Sequence, residues 1–471
     1  MPDEICLLSA VEMARQIRAK RLSALEVVSA HLERIARVNR KVNAIVTLVA
    51  EQAIDSARRA DRELARGNAA GPLHGLPIAI KDLQLTRGIR TTFGSRIYKD
   101  FVPEQDTLLV ERVRHAGAIV IGKTNTPEFG AGSQTFNEVF GATLNPYDLT
   151  KTCGGSSGGA AVALACSMLP IADGSDMGGS LRNPASFCNV VGMRPSPGRV
   201  PVWPAWMGWS TLSVDGPMAR TVADAALFLS AIAGPDSRAP VSIEEPGARF
   251  AAPLDRDFRG VRIAWWKDMG GVPFDTSVKE IVNAQRRVFE SLGCIVEEAE
   301  PDFTGADEVF KTLRSVAFLT RAEELKKNRA VVKETILWEI ERGERLAASD
   351  IVRAEIQRTE LYHRMRRFLE RYEFFVLPTT QAPPFDVDQP YLTEIAGVRM
   401  PTYIDWMKSC YYISVLGNPA LSVPCGFTGD ELPVGIQIVA RHHDDWGLLQ
   451  VAHAFEQAAV LPQRRPPDSY T

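Results

Sequence analysis

A serine follows two glycines in "GSDMGGSLRNP" (174–184), with Asp176 and Arg182 on either side of the turn. These residue types suit a nucleophile. Glycines let a substrate approach the main chain closely, and Ser180 places a hydroxyl at that point. A serine hydroxyl is a weak nucleophile until a base takes its proton. Histidine is the familiar base, yet no histidine lies between His115 and His363. Two further stretches carry polar groups in an apolar setting. "GLPIAIKDL" (75–83) reads as a short apolar strand ending on Lys81 and Asp82. "CGGSSGGAAVALA" (153–165) reads as a glycine-rich turn feeding a helix of small residues. Alone, "GGSSGG" could cradle a phosphate at a helix N-terminus. It lacks the lysine of a Walker motif and the G-x-G-x-x-G spacing of a dinucleotide loop, so a nucleotide-binding protein is the weak reading. The residues by themselves leave the base open.

Taken together, the three stretches are specific. Ser156 follows Lys81 by 75 positions and Ser180 follows Ser156 by 24. In this order and spacing the chain resembles the amidase signature family of serine hydrolases. "KTNTPEFGAGSQTFNEVFGATLNPYD" (123–148), "SVDGPMARTVAD" (213–224) and "NPALSVPCGF" with "LPVGIQIV" near the end extend the resemblance over nearly the whole chain. It implies an α/β/α sandwich, with a large mixed β-sheet covered by helices on both faces. It also implies a Ser-cisSer-Lys triad. Ser180 would be the nucleophile, Ser156 (after a cis peptide bond from Gly155) the proton relay, and Lys81 the base. Main-chain N–H groups of Met177, Gly178, Gly179 and Ser180 would form the oxyanion hole. Ser157, Asp176 and Arg182 would support this centre, the last two by pairing across the nucleophile turn. The sequence departs from the family pattern at Met177, where threonine is common, and at Asn189, where glycine is common. Asparagine tolerates positive φ well enough to keep that turn.

A lysine base makes a physical demand. Its reference pKa is about 10.4, and a protonated amine accepts no proton. Burial at the end of the apolar "LPIAI" run would favour the neutral form.

For the substrate, "VPVWPAWMGWSTL" (200–212) spaces Trp203, Trp206 and Trp209 three apart. The resemblance places this region at the active-site mouth, and Phe129, Gly130, Phe136, Tyr403, Trp406 and Met407 in segments that shape the pocket. The set favours a small apolar or aromatic amide, such as an anilide or an aryl or alkyl amide. An N-aryl carbamate or an ester presents the same carbonyl as a side substrate. The expected partners are that substrate and water, with no cofactor. The alternative is the glutaminase (A) subunit of a tRNA-dependent amidotransferase, which shares the triad and needs partner subunits. A silent scaffold is disfavoured, because all three triad positions are filled.

The elements that must position these groups follow from periodicity and caps. Ser9 with Glu12, and Ser23 with Glu26, match the S-x-x-E capping box and open a helical hairpin over about 8–40. "VNAIVTLV" reads as a strand and "AIDSARRADRELARG" as an exposed helix. Helices and strands then alternate through a catalytic core of about 70–235. A Pro- and charge-rich connection covers 234–260, and 275–372 reads as a more helical, highly charged insertion. "FFVLPTT", "PALSVPCGF" and "PVGIQIVA" return as strands. The 471 residues read as one large domain.

Composition narrows the class. Hydrophobic residues make up 45% and charged residues 24%, with a net charge of −3 and no basic block. That argues against a nucleic-acid groove. The N-terminus has no long apolar run, so neither a signal peptide nor a membrane anchor is expected. Seven scattered cysteines without a CxxC read as reduced thiols of a cytoplasmic protein. No histidine–carboxylate cluster has metal-ligand spacing, and no metal is expected. A homodimer is compatible with the sequence, which does not fix the oligomeric state.

Overall fold

The computed structural model describes residues 2–69, 71–460 and 465–466. The N-terminal hairpin consists of helices Ala10–Arg18 and Ala24–Val42, preceded by a short helix Pro2–Leu7. Ser9 and Ser23 each accept the N–H of the glutamate three residues on, at 3.1 Å. Glu26 returns the bond to Ser23 N–H at 2.8 Å, closing a full capping box. Val27, Val28, His31, Ile35 and Val38 are the buried stripe of the second helix, and Leu25 and Leu32 lie half-buried at its margin.

The strands divide into two main sheets. The larger has eight strands in the order Ile295–Glu298, Arg262–Trp265, Phe374–Pro378, Pro433–Ala440, Ala420–Phe427, Val191–Arg194, Val214–Ala219, Ile171–Asp176. The first two junctions are parallel and the rest antiparallel, so the sheet is mixed. Helices cover both faces, as an α/β fold requires to bury its mostly apolar central strands. Helix Arg182–Phe187 packs on the strands at 191–194, 420–427 and 433–440, and helix Asp445–Ala458 on the last two.

The strand that carries Lys81 is not part of this sheet. Pro77–Lys81 pairs in parallel with Ile119–Thr124, which pairs antiparallel with Ile45–Leu48. The two sheets meet where Lys81 approaches Ile171–Asp176. There the Asp173 carboxylate accepts the Lys81 main-chain N–H at 2.8 Å. A side chain thus supplies the bond that a sheet neighbour would otherwise make. The segment 275–372 is largely helical, but its strand Ile295–Glu298 also forms one edge of the large sheet. Helices Ala306–Phe318 and Glu334–Glu344 of this segment lie against each other, and Arg314 of the first reaches Met177 in the turn before Ser180. A small satellite core of Leu325, Ile336 and Ile340 packs on Ala131.

Candidate active site

Lys81, Ser156 and Ser180 come together from three elements. Lys81 closes its strand, fully buried. Ser156 lies in the turn before helix Gly158–Ala165, and Ser180 in the turn after strand Ile171–Asp176. Lys81 Nζ lies 2.8 Å from Ser156 Oγ, 2.9 Å from Ser157 Oγ and 3.0 Å from Ser175 Oγ. Three oxygens match the three N–H bonds of an ammonium. They equally match two N–H bonds and the lone pair of a neutral amine, once one hydroxyl rotates to donate. Burial pushes the Lys81 ammonium down to about 8, against the opposing pull of Asp173, Asp215 and Asp176.

Burial alone does not identify a base. Lys123 is also fully buried and pushed to about 8 by desolvation. Its Nζ donates to Gln84 O, Thr86 Oγ1 and Thr91 Oγ1, at 2.6, 2.7 and 3.1 Å. Only Lys81 of this pair touches Ser156.

The serine turn is held from its main chain. The peptide bond Gly155–Ser156 is cis. Ser133 Oγ donates to Gly155 O at 2.6 Å, and a Cβ on Gly155 would stand 2.8 Å from Thr135 Oγ1, too close for any other residue. Ser157 N–H donates to Ser180 O at 3.2 Å, which ties the two serine turns together. Ser156 and Ser180 face one cavity of about 110 Å³.

Asp176 organises the nucleophile turn. Its carboxylate accepts Gly179 N–H at 2.8 Å and Leu181 N–H at 3.2 Å. It pairs with Arg182 at 2.9 Å and with Arg194 at 3.3 Å, all three side chains fully buried. Burial would raise this carboxyl, but the two guanidiniums outweigh it and hold it well below the usual carboxylate range. Gly179 has φ 117°, and a Cβ there would stand 2.6 Å from Cys410 Cβ. Because Gly179 N–H is committed to Asp176, it is a poor oxyanion donor. The four donors suggested by sequence narrow to Met177, Gly178 and Ser180. Asn189 adopts φ 56°, which its side chain tolerates.

The aromatic residues separate. Phe129 and Gly130 line the cavity with Met407. Phe136 does not. It sits in a two-residue hairpin strand, with Lys333 Nζ 4.2 Å above its ring. Trp203 is turned away, its ring covered by Arg238 at 4.5 Å. Trp209 is 80% exposed and Trp206 77% exposed, and Trp206 borders the neighbouring cavity. Tyr403 stands behind the cavity wall, donating to Glu339 at 2.7 Å and accepting from Arg314 at 2.8 Å. Trp406 is core, stacked on Phe187 with centroids 6.3 Å apart. Aromatic content in pocket-forming segments did not say which rings point inward.

Sequence reasoning also missed wall residues. Ser175 lines the cavity from strand Ile171–Asp176, and the polar positions Asp173, Ser175 and Asp176 within that strand were a legible signal. Arg314 and Phe318, one helical turn apart, line the cavity from the helical, highly charged segment in which no site residue was expected. Arg314 is buried and paired with Glu339 at 2.8 Å, and it also donates to Met177 Sδ at 3.4 Å. Among the described residues, no group of three or more His, Cys, Asp or Glu could hold a metal ion. Among them too, no helix is long and apolar enough to cross a membrane.

The two-sheet α/β fold, in which a buried lysine meets a serine pair opposite the Ser180 turn, is that of an amide hydrolase. The family model described as Amidase matches residues 26–449, and the chain belongs to that family, acting on amide C–N bonds. An acylamidase of Rhodococcus erythropolis is 36% identical over 467 residues, covering 98% of each chain. The glutamyl-tRNA(Gln) amidotransferase (A) subunit of Carboxydothermus hydrogenoformans is 34% identical over 496 residues, covering 98% of this chain and 99% of that one. The crystal structure of a bacterial aryl acylamidase of the amidase signature family superposes with a TM-score of 0.90 at 27% identity, over 96% of both chains.

Proposed function

We propose that the protein is a stand-alone amidase that cleaves a small, uncharged, apolar or aromatic amide through an acyl-enzyme on Ser180. The observation that carries this reading is Lys81 Nζ at 2.8 Å from Ser156 Oγ, beside the cavity that Ser180 shares. Ser180 Oγ attacks the carbonyl carbon. Its proton passes to Ser156 Oγ as the Ser156 proton passes to Lys81 Nζ. The oxyanion meets the N–H groups of Met177, Gly178 and Ser180, each worth about 3 kcal/mol of barrier. The C–N bond then breaks, and the proton returns through Ser156 to the departing nitrogen. Water attacks the acyl carbon along the same relay and releases the acid.

The second reading, a glutaminase within an amidotransferase, has support in the Carboxydothermus relative, whose identity is nearly that of the acylamidase. The cavity walls favour the first. Glutamine carries an ammonium and a carboxylate that need partners on burial. Among the described residues lining this cavity, Arg314 alone is charged, and Glu339 already balances it. Leu83, Phe129, Phe318 and Met407 supply the apolar wall, and the remaining polar side chains, Ser156, Ser175, Ser180 and Ser213, are uncharged. The test is turnover, without added partners, of p-nitroacetanilide, an N-aryl carbamate, a p-nitrophenyl ester and glutamine. Anilide turnover lost in Ser180→Ala is the expected result. Glutamine as sole substrate would establish the second reading instead.

The relay also sets a pH profile. Lys81 accepts a proton only when neutral, and its pKa is about 8. Below that value the neutral fraction falls tenfold per pH unit. Thus kcat/KM is expected to rise with unit slope in log–log form up to about pH 8 and then level. A flat profile over a pH range in which the protein stays folded would exclude Lys81 as the base. Lys123→Met is the control. It should lower stability and leave the slope in place.

A further inference from the structure

Next to the catalytic cavity lies a second one of about 240 Å³. Met177 and Ser213 belong to the walls of both. The second chamber is walled by Val200, Ala239, Val241 and Ala317, with Asp215 among its few polar groups and Trp206 at its edge. Arg321, also in its wall, lies 5.8 Å from the Trp206 ring and 5.1 Å from the ring of Phe129, a wall residue of the catalytic cavity. One cation thus ties the two walls together.

The catalytic cavity alone is small. Sites for drug-sized ligands run from roughly 300 Å³ upward, and only the two spaces together reach that range. Of the two residues that line both, Met177 has the larger side chain, half-buried, its sulfur held by Arg314 Nη1 at 3.4 Å. Arg314 itself cannot drift, because Glu339 and Tyr403 hold it at 2.8 Å each. Methionine has three flexible torsions and adapts to irregular apolar partners, so its position can yield to a ligand where a branched side chain would not.

We infer that the second chamber binds an extended, uncharged apolar arm of the amide substrate, an aryl ring or an alkyl chain, and that Met177 sets how readily that arm passes from the reacting carbonyl into it. The assignment rests on the amidase reading and names the part of the substrate that the catalytic cavity cannot hold. Asp215 and Arg321 put one acid and one cation in the same wall, and burial raises the Asp215 carboxyl to about 7. The valines and alanines around them, rather than a net charge, are what an apolar arm meets.

The test is a pair of substrate series. One lengthens the acyl side, from acetyl through butyryl to octanoyl p-nitroanilide. The other enlarges the amine side of an acetamide, from phenyl to biphenyl. The readout is the ratio of kcat/KM for the largest member to that for the smallest, in wild type, Met177→Ala, Ala317→Phe and Thr320→Phe. Ala317 and Thr320 are half-buried wall positions on the helical side, and each phenylalanine fills chamber volume. In one of the two series, filling the chamber is expected to lower the ratio at least tenfold, and Met177→Ala to raise it several-fold. The series that responds identifies the side of the amide that enters. Ratios within twofold of wild type in both series, for Met177→Ala and for whichever filling variants fold, would overturn the assignment, and Ser180-dependent turnover of the short substrates by the wild type would keep the amidase reading. Absence of any Ser180-dependent turnover by the wild type would instead overturn the amidase reading, and the chamber's role with it.

Discussion

Replacing Ser180 by alanine is expected to lower kcat for an anilide by on the order of 10⁶-fold, with the fold unchanged. The hydroxyl is the atom that would form the acyl bond, and no neighbour can take its place. Ser156 Oγ is committed to Lys81 Nζ at 2.8 Å, and Ser175 Oγ reaches the same nitrogen at 3.0 Å. Lys81→Ala should cost a comparable factor, since it removes the only described base within reach of Ser156. The double variant Lys81→Ala/Ser180→Ala should then be scarcely worse than either single change, because residues that act as one unit are not additive. A residual rate of roughly 10³–10⁴ over water should persist from binding and oxyanion contacts alone. Single-turnover kinetics on wild type should trap an acylated Ser180, visible by mass. Activity in Ser180→Ala within about a thousandfold of wild type would show that the nucleophile lies elsewhere.

How much of this was legible in the chain differs by physical cause. The strands, the capped hairpin and the glycine turns could be read, because periodicity, caps and glycine carry local signals. Ser9 and Ser23 cap the helices that their glutamates marked. Lys81 could be placed at a strand end, but not the sheet to which that strand belongs, since strand order is a long-range property. The division into two sheets bridged by Asp173 left only a faint trace, a polar residue in an apolar run. The pocket was least legible. Trp406 and Tyr403 face the core and a buried ion pair, and Trp209 faces water. Arg314 and Phe318 form the wall instead, through a helix packing that spacing along the chain does not encode. The bond that the Gly179 N–H makes to Asp176 was illegible for a similar reason. A donor in the right turn is of little use to an oxyanion once a carboxylate has claimed it.

Asp176→Ala is expected to cost about 3–5 kcal/mol of stability at neutral pH, the range for breaking a buried ion pair from one side. The case is stronger than for a single pair. One carboxylate faces two guanidiniums here, and all three are shut off from water. Arg182 keeps neutral partners, Cys410 O at 3.1 Å and Ser414 Oγ at 2.6 Å, and Arg194 keeps Leu212 O at 3.0 Å. These satisfy N–H groups but bring no opposing charge. The Asp176 carboxyl titrates lower in the folded chain than its unfolded value of about 3.9. Its contribution is therefore complete above that unfolded value and is lost as pH falls through the depressed folded one. The deficit of the variant should accordingly be largest at neutral pH and shrink in strong acid. Asp176→Ala/Arg182→Met should recover part of the loss, because it removes one of the two stranded cations. Activity should fall as well, by roughly 10²-fold at a temperature where the variant is still folded. Without Asp176 the Gly179 and Leu181 N–H groups lose their anchor, and a shift of about 1 Å in Ser180 suffices for such a factor. Urea midpoints at pH 7 with kcat on the folded variants measure both effects. A stability loss below about 1 kcal/mol, the range of an exposed pair, would mean that water reaches these arginines and that the turn is held by its main chain alone.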